Sequence, residues 1–502
     1  MTNRRWQDID IRWLAVLASL AVSLYTLLLP EIPNDDAYVY MRTAEIYLAE
    51  GLGAALQHYS WPAYPVLIAE VSRLGLSTLT SALLINALFF ALLVYAFISI
   101  VQELDDRRSI ALLAAITVLL YPELNEFRYM VIRDVGFWAL GLLAIWQYLK
   151  FTADPRSRYA AGFTLALILA TVFRVEAVAW LALMPLAVFL DSRFDRQQAL
   201  GLFLRFGLVT YGSLLLVLLL CLLAGFNPIA LGLNFLSVYL PFIENTFNPD
   251  PSTTTELGRL LFGEYGAAFS AEYMSAVIMT GLLAILAMTI FYGISGAYFW
   301  MLAYGAWKRY WYTAHPGVRS LLCFAAINFL VLFVFLYVTR FLSSRYAIPL
   351  CLIAVTQLPF VISRILDSAK QNNSGKLAQR LLLLFFVFCA FDAYISFGRS
   401  KDYLQDSVDY VLVHRSAGEG LLTNNHNIAY LSGLIADYDE VPRLLTSRQL
   451  LDTAAGDFLA LEMIHEIEQL LLADEVRAGL EFVTAFPSES EQRVAIYRRS
   501  PD

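Results

Sequence analysis

The sequence predicts a mainly α, polytopic helical bundle of the membrane with about 11 spans, followed by a small soluble α/β domain. Three observations carry that reading. Of 502 residues 59% are hydrophobic and only 16% charged, and the mean hydropathy is +0.60, whereas soluble globular chains carry about 25% charge. The apolar residues come in blocks of about twenty, the length a bilayer core demands of a helix. Lys and Arg alternate between connections. With the N-terminus in the cytoplasm, 18 of the 35 lie inside, eight outside and nine in the tail, as the positive-inside rule requires.

In chain order the spans fall at 11–29, 81–101, 109–121, 135–149, 159–173, 177–190, 207–224, 274–300, 320–338, 346–362 and 381–398. The first follows a basic flank (Arg4, Arg5, Arg12), as in a signal peptide. Pro30-Glu31-Ile32-Pro33 offers no small-residue cleavage site, so the run reads as a retained span. Residues 30–80 form a long outside loop with helical patterns at 36–50 and 63–74, and Tyr and Trp there suit helices lying in the interface. Residues 225–273 make a second large outside loop. The expected domains are 1–398 in the membrane and 399–502 outside it. Within the tail, Tyr410–His414 and Arg493–Tyr497 read as strands, and Leu459–Leu472 reads as a helix with acids on one side.

The chain excludes several chemistries. Cys221, Cys323, Cys351 and Cys389 all lie in apolar blocks, where thiols behave as small hydrophobes. No His-Glu-x-x-His motif, cysteine pair or P-loop is present, and no nucleic-acid partner is expected.

What remains is a set of charges at the outer ends of the spans. Asp35 and Asp36 follow the first span directly. Two carboxylates at a membrane edge resist joint ionisation and lose hydration. Either they cap the helix that begins there, or one is a general base. Arg133-Asp134 opens the fourth span, Arg174-Val175-Glu176 fills a very short connection, and Arg340 and Arg345-Tyr346 precede the tenth. Each Arg alone is compatible with snorkelling. Guanidiniums gathered on one leaflet opposite acids suit a phosphate or pyrophosphate held beside a base. His58 stands in a Tyr/Trp-rich stretch, either as a structural hydrogen-bonder or as part of a pocket.

These residues, in this order, resemble the GT-C membrane glycosyltransferases, in particular the protein O-mannosyltransferase and lipid A aminoarabinose transferase group. The motifs are the Asp35-Asp36 pair, Trp61-Pro62-Ala63-Tyr64-Pro65, Arg133-Asp134-Val135-Gly136-Phe137-Trp138, Phe173-Arg174-Val175-Glu176-Ala177 and Arg345-Tyr346-Ala347-Ile348-Pro349, spread over roughly residues 10–400. Each motif is short; order, sidedness and spacing carry the likeness. Many members have a Lys before a Pro-Pro pair in the first loop, where this chain has Trp61 followed by Pro62-Ala63.

The resemblance implies an inverting transfer of one sugar from a polyprenyl-phosphate carrier to an acceptor hydroxyl on a glycan, lipid or protein. It implies Asp35, Asp36 and Asp134 as catalytic acids, with Asp35 as the base. Arg345, Tyr346, Arg174, Arg42 and Arg133 would meet the donor phosphate, and His58, Tyr59, Trp61, Tyr64 and Glu176 would line the substrate pocket. A divalent cation (Mg, Mn or Zn) on Asp35 and Asp36 is compatible with the carboxylate pair. The expected setting is a monomer among lipids of the bacterial inner (cytoplasmic) membrane, its C-terminal domain periplasmic. Two other readings stand beside this one: an O-antigen ligase- or polymerase-like enzyme using a pyrophosphate-linked glycan, and a lipid-linked sugar flippase or transporter. The acidic pair in the first loop speaks against the former. Charges at span ends, rather than at the midplane, speak against the latter.

Overall fold

The computed structural model describes residues 9–27, 32–225, 227–237, 239–247, 251–270, 273–395 and 401–500. The flank with Arg4 and Arg5, the end of the first span at 28–29, Pro30-Glu31 and the end of the last span at 396–398 lie outside the described residues. The chain divides into two compact units: Met1–Leu28, Leu83–Arg128 and Ile132–Ile395 form one, and Leu29–Ala82, Tyr129–Val131 and Ser396–Asp502 the other.

The first unit is helical. Among the described residues six helices of the chain are long and apolar enough to cross a bilayer: Thr78–Leu104, Arg196–Leu223, Met274–Ile294, Gly317–Thr339, Ser344–Gln371 and Gly375–Tyr394. A bent pair, Arg108–Leu119 with Pro122–Tyr129, makes a seventh if counted as one span. Within the described residues every apolar block of the sequence is helical, some as two consecutive helices, and several, such as Ile11–Leu27 and Ser157–Phe173, are shorter than a full span. Arg196–Leu223 leaves Leu204, Leu208, Leu215 and Leu223 exposed, the apolar surface that hydrocarbon covers without cost.

The 274–300 run is two helices rather than one. Ser295 takes a left-handed conformation at φ 69°, and its hydroxyl accepts from the Glu123 amide at 3.1 Å, fixing the break before Gly296–Trp307. Arg128 ties the Ile11–Leu27 helix to the bent segment. It is buried, donates to Ser23 Oγ at 2.7 Å and Ser19 Oγ at 3.0 Å, and lies 4.3 Å from the Phe90 ring centroid.

The second unit joins the first-loop helices Asp35–Glu50 and Ala63–Ser72 to the tail. Its sheet has the order β1-β2-β4-β3, with β1 Leu421–Thr423, β2 Phe458–Glu462, β3 Leu480–Ser488 and β4 Glu491–Arg499. β1 and β2 are parallel, as Leu422↔Leu459. β2 and β4 are antiparallel, as Ala460↔Ile496, and β3 and β4 form an antiparallel hairpin.

Two expectations for the tail are corrected here. Tyr410–His414 belongs to the Asp402–His414 helix, not to a strand. Leu404, Ser407, Val408 and Val411 are its buried face, at helical spacing, while Leu412 and Val413 are exposed. Leu459–Leu472 is not one helix: Phe458–Glu462 is the central strand β2, and only His465–Leu471 is helical. A strand buried on both faces reads as a continuous apolar run, which periodicity cannot separate from a helix. Arg493–Tyr497 lies in β4, as expected.

Candidate functional site

In the helical unit the site grows from three span-end segments. Asp134 is the first residue of the Asp134–Ala153 helix, where exposed amides favour a carboxylate. Arg174 follows the C-terminus of Ser157–Phe173, where a cation is favoured. The two helices approach closely because Gly136 has no side chain: a Cβ there would meet Phe173 at 2.8 Å. Gly141 does the same for Trp180, also at 2.8 Å.

Arg174 is therefore held between two acids. Its Nη1 donates to Asp134 Oδ1 at 2.7 Å, its Nη2 to Glu176 Oε1 at 2.5 Å, and its guanidinium lies 4.2 Å from the Tyr346 ring centroid. Asp134 is 2% exposed and Arg174 9%, so the pair is buried, with Glu176 half-buried at its edge. Burial by itself pulls the Arg174 pKa down, but Glu176 and Asp134 more than offset it and raise it well above its ordinary value. Burial likewise opposes ionisation of Glu176, yet Arg174, with a smaller contribution from Arg133, holds it below the usual carboxylate range.

Arg345 and Tyr346 open the Ser344–Val355 helix, and Phe335 packs edge-on against Tyr346 at 5.4 Å. Asp134, Arg174, Glu176, Arg345 and Tyr346 line one pocket, joined by Trp138 and Asn328. Its cavity volume is about 20 Å³, roughly room for one water. Arg133 stands just before the Asp134 helix and acts on the pocket through its field on Glu176. Arg340 takes a different place, in the left-handed C-cap of Gly317–Thr339 and 4.8 Å from the Tyr337 ring centroid.

The other sequence-predicted residues lie in the second unit. Asn34 precedes the Asp35–Glu50 helix, and its side chain accepts from the Val131 amide at 2.7 Å, pinning the helix start. Asp35 and Asp36 occupy the first turn, with Asp35 exposed. Adjacent helix positions diverge by about 100°, so the two carboxylates do not face one point. Among the described residues no group of three or more His, Cys, Asp or Glu could hold a metal ion.

Arg42 is engaged by Asp437 at 2.7 Å and lies 3.6 Å from Glu45. His58 Nε2 meets Asp439 Oδ2 at 3.0 Å while Nδ1 faces Thr43 Oγ1 at 2.8 Å. Thr43 spends its only proton on Val39 O at 2.6 Å, so His58 Nδ1 must be the donor. The Asp439 carboxyl is pushed up by burial and drawn back by His58. Tyr59 and Tyr64 pack edge-on around Tyr40 at 5.7 and 5.3 Å, with Tyr64 buried and Trp61 half-buried. Tyr38, buried, donates to Asn427 Oδ1 at 2.6 Å.

Sequence reading named neither the tail partners Asn427, Asp437 and Asp439 nor Asn328. The acidic run Asp437-Tyr438-Asp439-Glu440 was a visible signal; a single Asn within an apolar block was another.

The fold is that of the GT-C membrane glycosyltransferases. No family model matches the sequence, and no curated protein does either. Among solved structures it is similar to ArnT from Cupriavidus metallidurans in the apo state, with a TM-score of 0.50, 12% identity, and coverage of 97% of this chain and 98% of that one. It is also similar to the Archaeoglobus fulgidus oligosaccharyltransferase (TM-score 0.48, 13% identity, 86% of this chain) and to the mycobacterial arabinofuranosyltransferase AftD (0.46, 16%, 98% of this chain). The chain spans 64% of the archaeal protein and 40% of AftD. At such identities the likeness is one of fold.

Proposed function

We propose that the protein is an inverting glycosyltransferase that moves a single sugar from a polyprenyl-phosphate carrier to an acceptor hydroxyl at the outer face of the bacterial cytoplasmic membrane. The observation that carries this reading is the pocket in which Arg345 and Tyr346 stand beside the buried Asp134–Arg174 pair and its neighbour Glu176. Buried charges in an apolar bundle are expensive and mark function, and the fold is one that such enzymes use.

Arg174, held by two carboxylates, orders the pocket and lies against Tyr346, while Arg345, which lines the same pocket at the start of the Ser344–Val355 helix, meets the leaving phosphate. Arg133 adds positive field, and Arg42 secures the tail through Asp437. Asp35 takes the acceptor proton as the hydroxyl oxygen forms its bond to the anomeric carbon. The bond from that carbon to the phosphate oxygen breaks on the opposite side, and the configuration inverts. Polyprenyl phosphate leaves with the electron pair, its charge neutralised by a guanidinium instead of a general acid.

Binding of undecaprenyl phosphate tests the reading. Arg345→Ala should weaken it roughly ten- to a hundred-fold, since a charge-assisted contact contributes about 1.5–3 kcal/mol. Arg345→Lys should retain part of it, offering a point charge in place of a fork. Unchanged binding with a lowered melting temperature would show that Arg345 only holds the fold.

The orientation has its own test. Ser416 is exposed, just after the Asp402–His414 helix. With an odd number of spans and a cytoplasmic N-terminus, Ser416→Cys should react with a membrane-impermeant thiol reagent once the outer barrier is opened. Labelling only after the inner membrane is lysed would reverse the assignment.

A further inference from the structure

Two side chains of the pocket have no role in the chemistry above. Trp138 and Asn328 are 2% and 4% exposed, yet among the described residues Trp138 Nε1 and Asn328 Oδ1 have no hydrogen-bond partner. Both line the pocket that holds Arg345 and Tyr346. Trp138 lies one turn into Asp134–Ala153, and Asn328 lies within the span-length Gly317–Thr339 helix, among the apolar pocket residues Val331, Leu332 and Phe335. A buried donor and a buried acceptor left unpaired in one cavity are each unfavourable, and a core of this kind has no packing reason to keep both. The nearby Trp180 shows the contrast, its Nε1 donating to Phe324 O at 3.2 Å.

We propose that Trp138 and Asn328 form a hydroxyl-recognition subsite that reads the sugar of the lipid-linked donor. A hydroxyl is the simple group that satisfies both at once: its oxygen accepts from the indole N–H while its proton goes to the Asn carbonyl. The size agrees, since the cavity of about 20 Å³ takes one hydroxyl-sized group and not a whole ring. The remainder of the sugar then lies toward the mouth, with the phosphate on Arg345. A site built to pair a hydroxyl discriminates strongly against a sugar lacking it, because its own polar groups are otherwise stranded. The inference rests on the pocket being the seat of the sugar-phosphate donor.

The test compares full-length protein in nanodiscs binding bare undecaprenyl phosphate with the same lipid carrying glucose, N-acetylglucosamine or arabinose. Wild type should bind at least one sugar-lipid about tenfold or more tighter than the bare lipid. Trp138→Phe and Asn328→Leu, which keep shape and remove the polar atom, should each erase about tenfold of that increment. Both should leave bare-lipid binding within about twofold and the melting temperature unchanged or raised. A sugar increment that survives both substitutions, or is missing in wild type, overturns the subsite; so does a lowered melting temperature with the increment intact, which marks a structural role. Arg345→Ala separates the two readings. If it weakens the bare lipid while the increment survives in the Trp138 and Asn328 variants, only the subsite falls. If bare-lipid binding survives Arg345→Ala, the pocket assignment falls and takes the subsite with it.

Discussion

Replacing Asp35 with Asn should lower glycosyl transfer by about 10²–10⁴-fold, the contribution of a positioned general base, while leaving the melting temperature unchanged. Asp35 is exposed in the first turn of its helix, and the start of that helix is fixed by the Asn34 contacts with Val131. The amide keeps the size of the side chain and is well tolerated at a helix start, so the substitution removes basicity and little else. Asp36→Asn, on a different face of the helix, should cost far less if Asp35 is the base. Single-turnover transfer measured beside thermal unfolding decides the matter: near-wild-type turnover in Asp35→Asn refutes the assignment, and a larger loss in Asp36→Asn exchanges the two roles.

The largest stability effect should come from Arg174. Removing one member of a buried ion pair strands its partners, and such losses run to about 3–5 kcal/mol. Arg174→Met leaves Asp134 and Glu176 without the contacts at 2.7 and 2.5 Å and Tyr346 without the cation above its ring. Its unfolding transition should fall sharply in detergent. The triple variant Arg174→Met, Asp134→Asn, Glu176→Gln should recover most of the loss, because the uncompensated charge causes the damage and replacing a whole buried ion pair is often close to neutral. Equal melting of wild type and Arg174→Met would mean that these three charges do not act as a unit. The comparison also separates ordering from chemistry: a stable but inactive triple variant would show that these charges serve the reaction.

Much of the molecule was legible before its structure. Blocks of apolar residues with alternating basic connections define a membrane bundle, because hydrocarbon accepts only backbone that bonds within its own helix. Charges at helix ends were legible for the same reason, since apolar surroundings make any ionisable group conspicuous. Asp134, Arg174, Glu176, Arg345 and Tyr346 were picked out in this way and do line one pocket.

What the pattern does not contain is who pairs with whom. Each of these residues is a short motif with several possible partners, and only packing, set by Gly136 against Phe173, brings Arg174 between Asp134 and Glu176. In the same way the tail partners Asp437 and Asp439 meet Arg42 and His58 across nearly four hundred residues of sequence, a separation that local periodicity cannot see. The tail's elements were the hardest to read, because a buried central strand such as Phe458–Glu462 and a helix carrying Val408 and Val411 both present apolar, β-branched or unbroken runs. Composition decided the solvent in which this chain folds and made its ionisable groups conspicuous there; the long-range contacts alone decided which of those groups meet one another.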